Sequence, residues 1–135
     1  MVKLENKLKI NKIKVGILGG SFDPAHKGHL AISKEAYKKL NLKSVIWAIT
    51  NQNPFKKKTL KSLKERIFYC KKITKKNNFI KVKYFENLIN SNKTTDLIDY
   101  LHKTKKYELF FLIGADNLID FHKWHKWKNI LKKSK

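Results

Sequence analysis

The chain has 135 residues, 41% of them hydrophobic, and a formal net charge of +22. That length supports one domain with a real core. No run approaches the 18 apolar residues a membrane span needs. The opening residues lack the apolar stretch of a secretory signal, and the lone Cys70 forms no internal disulfide. A cytoplasmic protein with no membrane partner is the expectation.

The charge invites a nucleic-acid reading. Its 32 basic residues are 31 lysines and Arg66, scattered along every segment. Arginine is the residue suited to bidentate base and phosphate recognition. No specific nucleic acid is therefore expected, and the useful consequence is a field that favours small anionic substrates.

Residues 1–12 read as a basic lead-in and 13–135 as the domain. Residues 13–18 form an apolar strand ending in Gly19-Gly20, and 28–40 carry a helical pattern broken by Asn41. Residues 44–49 form a second apolar strand. A polar loop from Thr50 to Thr59 follows, with Asn53-Pro54 as its turn signal. Residues 60–75 return to helical spacing, with Cys70 as a small buried apolar residue and Arg66 as a solvated side chain, its reach to the site being the alternative. Residues 79–85 suit a strand near an edge. Residues 95–104 read as a helix with Thr94 or Thr95 as N-cap. Residues 109–113 form an apolar strand ending at Gly114, 115–122 start a helical segment, and 124–133 form a basic amphipathic helix.

Strand and helix alternate, so the expected fold is α/β, a doubly wound parallel sheet with right-handed crossovers. Ligands bind such sheets at the carboxyl ends of strands. Three loops follow strand ends: 19–29, 50–58 and 114–127. They are expected to converge.

The first loop is the most informative. Gly19 and Gly20 allow close backbone approach to a ligand, and Ser21 adds a hydroxyl. His26 and His29 stand three apart at a helix start, where the dipole disfavours imidazolium unless an anion is present. A polyphosphate supplies that anion. The spacing matches neither G-x-G-x-x-G nor a Walker A loop. No third ligand stands at zinc spacing, so no protein metal site is expected.

Gly19-Gly20-Ser21-Phe22-Asp23-Pro24 with His26-Lys27-Gly28-His29 resembles the Rossmann-like nucleotidyltransferase superfamily. Three later features are similar to bacterial nicotinate-mononucleotide adenylyltransferases. They are Asn51 to Lys56, Thr94-Thr95-Asp96, and Gly114 to Asn117 followed by Phe121, Trp124 and Trp127. The resemblance covers residues 13 to about 131. It implies adenylyl transfer from ATP to nicotinate mononucleotide, with Mg²⁺ accompanying ATP. It places Gly19, Gly20, Ser21, Phe22, His26, His29 and Lys56 at ATP, the histidines as the catalytic pair. It places Thr94, Asp116, Asn117 and Trp124 at the mononucleotide, Trp124 stacking on the ring. Phe121 and Trp127 fit the core, and Asp116 also fits a helix N-cap.

Other acceptors, nicotinamide mononucleotide or phosphopantetheine, remain open alternatives, as do a non-catalytic basic nucleotide- or nucleic-acid-binding fragment and a homo-oligomer. Asn51 stands where the family commonly has proline, and Leu97 where it often has threonine. The chain stops at Lys135, before the family's further strand and Ile-Ser-Ser-Thr-x-x-Arg motif. The expectation is a C-terminally truncated chain with apolar surface exposed along 109–113.

Overall fold

The computed structural model describes residues 12–51, 61–103, 106–114 and 121–135. Strand β1 (Ile13–Gly20) leads into helix α1 (Lys27–Lys39), followed by β2 (Ser44–Ile49) and α2 (Leu63–Ile73). Strand β3 (Ile80–Lys83), a short α3 (Glu86–Ile89) and α4 (Thr94–Lys103) come next. Strand β4 (Tyr107–Leu112), a 3₁₀ turn (Phe121–Lys123) and α5 (Trp127–Lys133) complete the described elements.

The four strands form one parallel sheet in the order β3-β2-β1-β4. Side chains alternate between its faces, as a pleated strand requires. Leu18, Val45, Trp47 and Ile49 pack on one face with Phe22, Leu42 and Cys70. Ile17, Ala48 and Leu109 pack on the other with Ile98, Leu101, Phe121 and Ile130. Helices α1 and α2 thus cover one face, and α4 and α5 the other. The chain moves outward through β2 and β3, then crosses back to place β4 on the far side of β1. That reversal opens a crevice at the carboxyl ends of β1 and β4, the switch point where such sheets take ligands. The doubly wound α/β expectation is met.

Several local expectations change. The third strand sits at an edge, as expected, but is shorter than 79–85. Neither Thr94 nor Thr95 caps α4. The Asp96 and Leu97 amides both donate to Lys93 O, at 3.1 and 3.2 Å, so the first turn opens at Lys93. The Ser91 hydroxyl accepts from the Lys93 amide at 3.1 Å and donates to Asp96 Oδ2 at 2.6 Å. Thr95 is fully buried instead, its Oγ1 accepting from Asn129 Nδ2 at 2.7 Å.

The helix expected over 124–133 begins only at Trp127. Lys126 takes a left-handed conformation, φ 49°, which a right-handed helix cannot continue through. Phe121 and Trp124 are joined by a separate turn, the Trp124 amide donating to Phe121 O at 3.0 Å. Of the helical segment expected over 115–122, residues 115–120 lie outside the described residues.

The outer edge of β4 is not bare where the chain meets it. The Lys135 amide donates to Leu109 O at 2.8 Å, and the Phe111 amide to Lys135 O at 2.7 Å, the pattern of a parallel bridge. Leu109 is buried.

Candidate functional site

Gly19 and Gly20 are the last residues of β1, not the turn itself, and neither has positive φ. A Cβ on Gly19 would meet nothing closer than Ala48 O at 3.9 Å. Protein packing therefore does not demand glycine there; the space saved lies toward the crevice. The turn is made by Phe22, left-handed at φ 52°, and by the cis Asp23–Pro24 bond. A bulky residue in the left-handed region carries strain, which the surroundings must hold. The Phe22 ring does so: it is 2% exposed and stacks on Trp47 with centroids 4.9 Å apart. Its side chain is thus a core anchor, and its backbone is the part that the loop offers to a ligand.

His26 is the N-cap of α1, and the two histidines close a capping box in which imidazoles replace the usual hydroxyl and carboxylate. The Gly28 amide donates to His26 Nδ1 at 3.1 Å, and the His26 amide to His29 Nδ1 at 3.0 Å. In each neutral ring the proton therefore sits on Nε2. The rings lie 4.0 Å apart by centroid, and His29 lies 4.6 Å from Phe22. Gly28 makes this possible, since a Cβ there would fall 2.8 Å from His26 Cε1. Beneath them, buried Trp47 Nε1 donates to Ser33 Oγ at 2.8 Å, and Ser33 Oγ to His29 O at 2.8 Å. The histidine turn is thereby fixed to β2.

A cavity of about 420 Å³ opens at the ends of β1, β2 and β4. Gly19, Gly20, Thr50, Thr94 and Trp124 line it, together with Phe111, Lys93, Lys123, His125 and Glu86. Loops 19–29, 50–58 and 114–127 all reach it through their described residues. The structure thus brings the glycines, Thr94 and Trp124 to one space. Ser21, His26 and His29 do not line it; they stand on the loop and helix start that continue from Gly20. Lys56, Asp116 and Asn117 lie outside the described residues. Trp124 is half-buried and edge-on to Phe111 and Phe121, with centroids 5.8 and 5.3 Å away. Phe121 is buried, as expected, and Trp127 lies against it at 6.2 Å.

Glu86 escapes the sequence reading, and Arg66 follows its less favoured alternative. Glu86 Oε2 accepts from the Thr50 hydroxyl at 2.5 Å and Oε1 from the Asn51 amide at 3.0 Å, clasping the end of β2. Nothing local in the sequence marks it. Arg66 is 2% exposed rather than solvated. Its Nη1 donates to Ser21 O at 2.8 Å and Thr50 O at 2.7 Å, Nη2 to Asn51 O at 2.7 Å, and Nε to Lys61 O at 3.1 Å. Its signal was compositional: it is the lone arginine among the lysines. Cys70, one turn on, is fully buried, and burial pushes its thiol up to about 12, which leaves it inert.

Residues 17–135 match the cytidylyltransferase-like family. A relative from Pelagibacter ubique (strain HTCC1062), named "Probable nicotinate-nucleotide adenylyltransferase", is 65% identical over 133 residues, covering 98% of this chain and 74% of its own length. One of the same name from Bradyrhizobium sp. (strain ORS 278) is 39% identical over 120 residues, 87% of this chain and 62% of its own. The fold is shared with Plasmodium falciparum nicotinic acid mononucleotide adenylyltransferase complexed with NaAD, at 20% identity and a TM-score of 0.72, covering 87% of this chain and 60% of that one. The cavity at the switch point, the histidine turn and these matches agree: the chain belongs to the cytidylyltransferase-like family, among the nicotinate-nucleotide adenylyltransferases.

Proposed function

We propose that the chain transfers the adenylyl group of ATP to nicotinate mononucleotide, yielding deamido-NAD and pyrophosphate, as a cytoplasmic step of NAD biosynthesis. The observation that carries this is the single crevice joining the Gly19-Gly20 strand end, Thr94 and Trp124, next to the histidine-bearing start of α1. An oxygen of the mononucleotide 5′-phosphate attacks the α-phosphorus of ATP, and the bond to the bridging oxygen of pyrophosphate breaks. No covalent enzyme intermediate is required. The protein's work is then positioning and stabilisation of charge.

Gly19 and Gly20 let the nucleotide approach the strand end. The Nε2–H groups of His26 and His29 serve as preorganised donors to phosphate oxygens, their rings already held by the capping box. Helix α1 adds its positive end and carries no acidic residue in its first turn. The family resemblance assigns Lys56, outside the described residues, to the phosphates as well. Trp124 offers a ring face to the nicotinate and Thr94 a hydroxyl to its carboxylate; the family resemblance assigns Asp116 and Asn117, outside the described residues, to the same substrate. Mg²⁺ is proposed to enter with ATP and neutralise developing charge there. Glu86, the carboxylate among the described lining residues, is engaged with Thr50 and Asn51, so the ligands of Mg²⁺ would be phosphate oxygens and water.

The test is pyrophosphate release by the purified chain with ATP, Mg²⁺ and nicotinate mononucleotide, against the amide mononucleotide. Turnover favouring the acid is expected; none from a folded chain would overturn the proposal. In the same assay Trp124→Ala is expected to raise the KM for the mononucleotide about two- to twelvefold, since a stacked ring is worth about 0.5–1.5 kcal/mol. An unchanged KM would remove Trp124 from the ring slot.

A further inference from the structure

Arg66 belongs to α2, outside the cavity lining, yet it reaches the backbone of two of the three loops that meet at the crevice. Four carbonyl oxygens converge on it: Ser21 from the β1–α1 loop, Thr50 and Asn51 from the end of β2, and Lys61 from the approach to α2. Ser21 is 45 residues away in sequence, and Thr50 16. A buried charge is tolerated only when its donors are satisfied, and here carbonyl dipoles do it. A lysine ammonium concentrates three donors on one nitrogen; the guanidinium spreads five over a rigid fork. Only the fork spans carbonyls of separate loops at 2.7–3.1 Å. In a chain that otherwise uses lysine for every basic residue, arginine stands where that reach is needed.

We propose that Arg66 is a positioning residue that sets the distance between the Gly19–Phe22 loop and the Thr50–Asn51 loop, and thereby shapes the ATP side of the site. This rests on the reading of that side as the ATP site. Arg66 bonds to neither Thr94 nor Trp124, so its effect falls on ATP and spares the mononucleotide. A merely structural arginine would weaken both together.

The chain's single arginine makes it directly observable. With ¹⁵N-arginine labelling, the Nε–H of Arg66 gives one signal. A non-hydrolysable α,β-methylene analogue of ATP is expected to shift that signal, and nicotinate mononucleotide alone to leave it in place. In calorimetry, Arg66→Lys is expected to weaken the analogue about tenfold or more, a loss in keeping with loops displaced by a fraction of an ångström, with mononucleotide affinity unchanged. Equal losses for both ligands, or no loss in a folded variant, would overturn the proposal. Should Arg66→Lys not fold, the wild-type signal decides, and a resonance unmoved at saturating analogue overturns it. Wild-type chain that binds neither ligand would instead refute the ATP reading beneath it.

Discussion

At residue scale, Gly28 shows how one missing methyl group permits a site. Its absence lets the His26 imidazole fold back over the first turn of α1 and accept the Gly28 amide at 3.1 Å. In Gly28→Ala the new Cβ would meet Cε1 and the accepting Nδ1 of that ring at 2.8–2.9 Å. Because His26 is exposed, the ring moves rather than the backbone. The cap then loses about 1 kcal/mol, while alanine returns about 0.5–1 kcal/mol of helix propensity. The melting temperature is expected to change little. Turnover is expected to fall about tenfold or more, because the Nε2–H donor leaves its place. A variant with turnover matching wild type would separate the ring pair from catalysis. Phe22 carries the opposite lesson, a residue whose side chain serves the core so that its backbone can turn.

At element scale, α4 and α5 act as a pair. Thr94 opens α4, Trp124 precedes α5, and the helices pack over Ile98, Leu101 and Ile130. Asp99 ties them: its Oδ1 accepts from Lys133 Nζ at 2.7 Å and from Asn129 Nδ2 at 3.0 Å. Partial burial pushes the Asp99 carboxyl up, but the hydrogen bonds from Lys133 and Asn129 outweigh it and hold the group below its ordinary value. A depressed folded-state value means the contribution is present above the unfolded value of about 3.9 and fades as pH falls through the folded one. The carboxylate side chain is 43% exposed, so solvent screens the pair. Asp99→Ala is therefore expected to cost only about 0.5–1 kcal/mol at neutral pH. Thermal melts at falling pH should show the gap between variant and wild type closing below pH of about 4. A gap that persisted there would assign the loss to packing.

At the scale of the whole molecule, the net charge of +22 surrounds a crevice proposed to take two anionic substrates. Such a field raises local substrate concentration and falls with ionic strength. Between about 0.01 M and about 1 M salt the Debye length drops from about 30 Å to about 3 Å. The KM for ATP is expected to rise several-fold over that range, with kcat nearly constant. A salt-independent KM would mean that contacts inside the site, not the lysine surface, dominate binding. Among the described residues no helix is long and apolar enough to cross a membrane.

The alternation of strands and helices, the placement of three loops at strand ends and the histidine turn were legible in the sequence. Period, glycine placement and capping act over a few residues, so local sequence determines them. The motifs of the Gly19–His29 stretch, Thr94 and Trp124 carried the family for the same reason. The rest depends on partners far along the chain. The burial of Arg66 is decided by carbonyls 16 and 45 residues away, and the inward turn of Phe22 by Trp47. Glu86 finds its role only when β3 lies beside β2. Helical spacing suggested one helix through Trp124 and Trp127; packing of Phe121 and Trp124 over Phe111 coincides with a break at Lys126. By itself the sequence determined the alternation of elements and which loops meet at the crevice; tertiary structure alone decided which side chains brace those loops, because long-range hydrogen bonds and packing leave no local period to read.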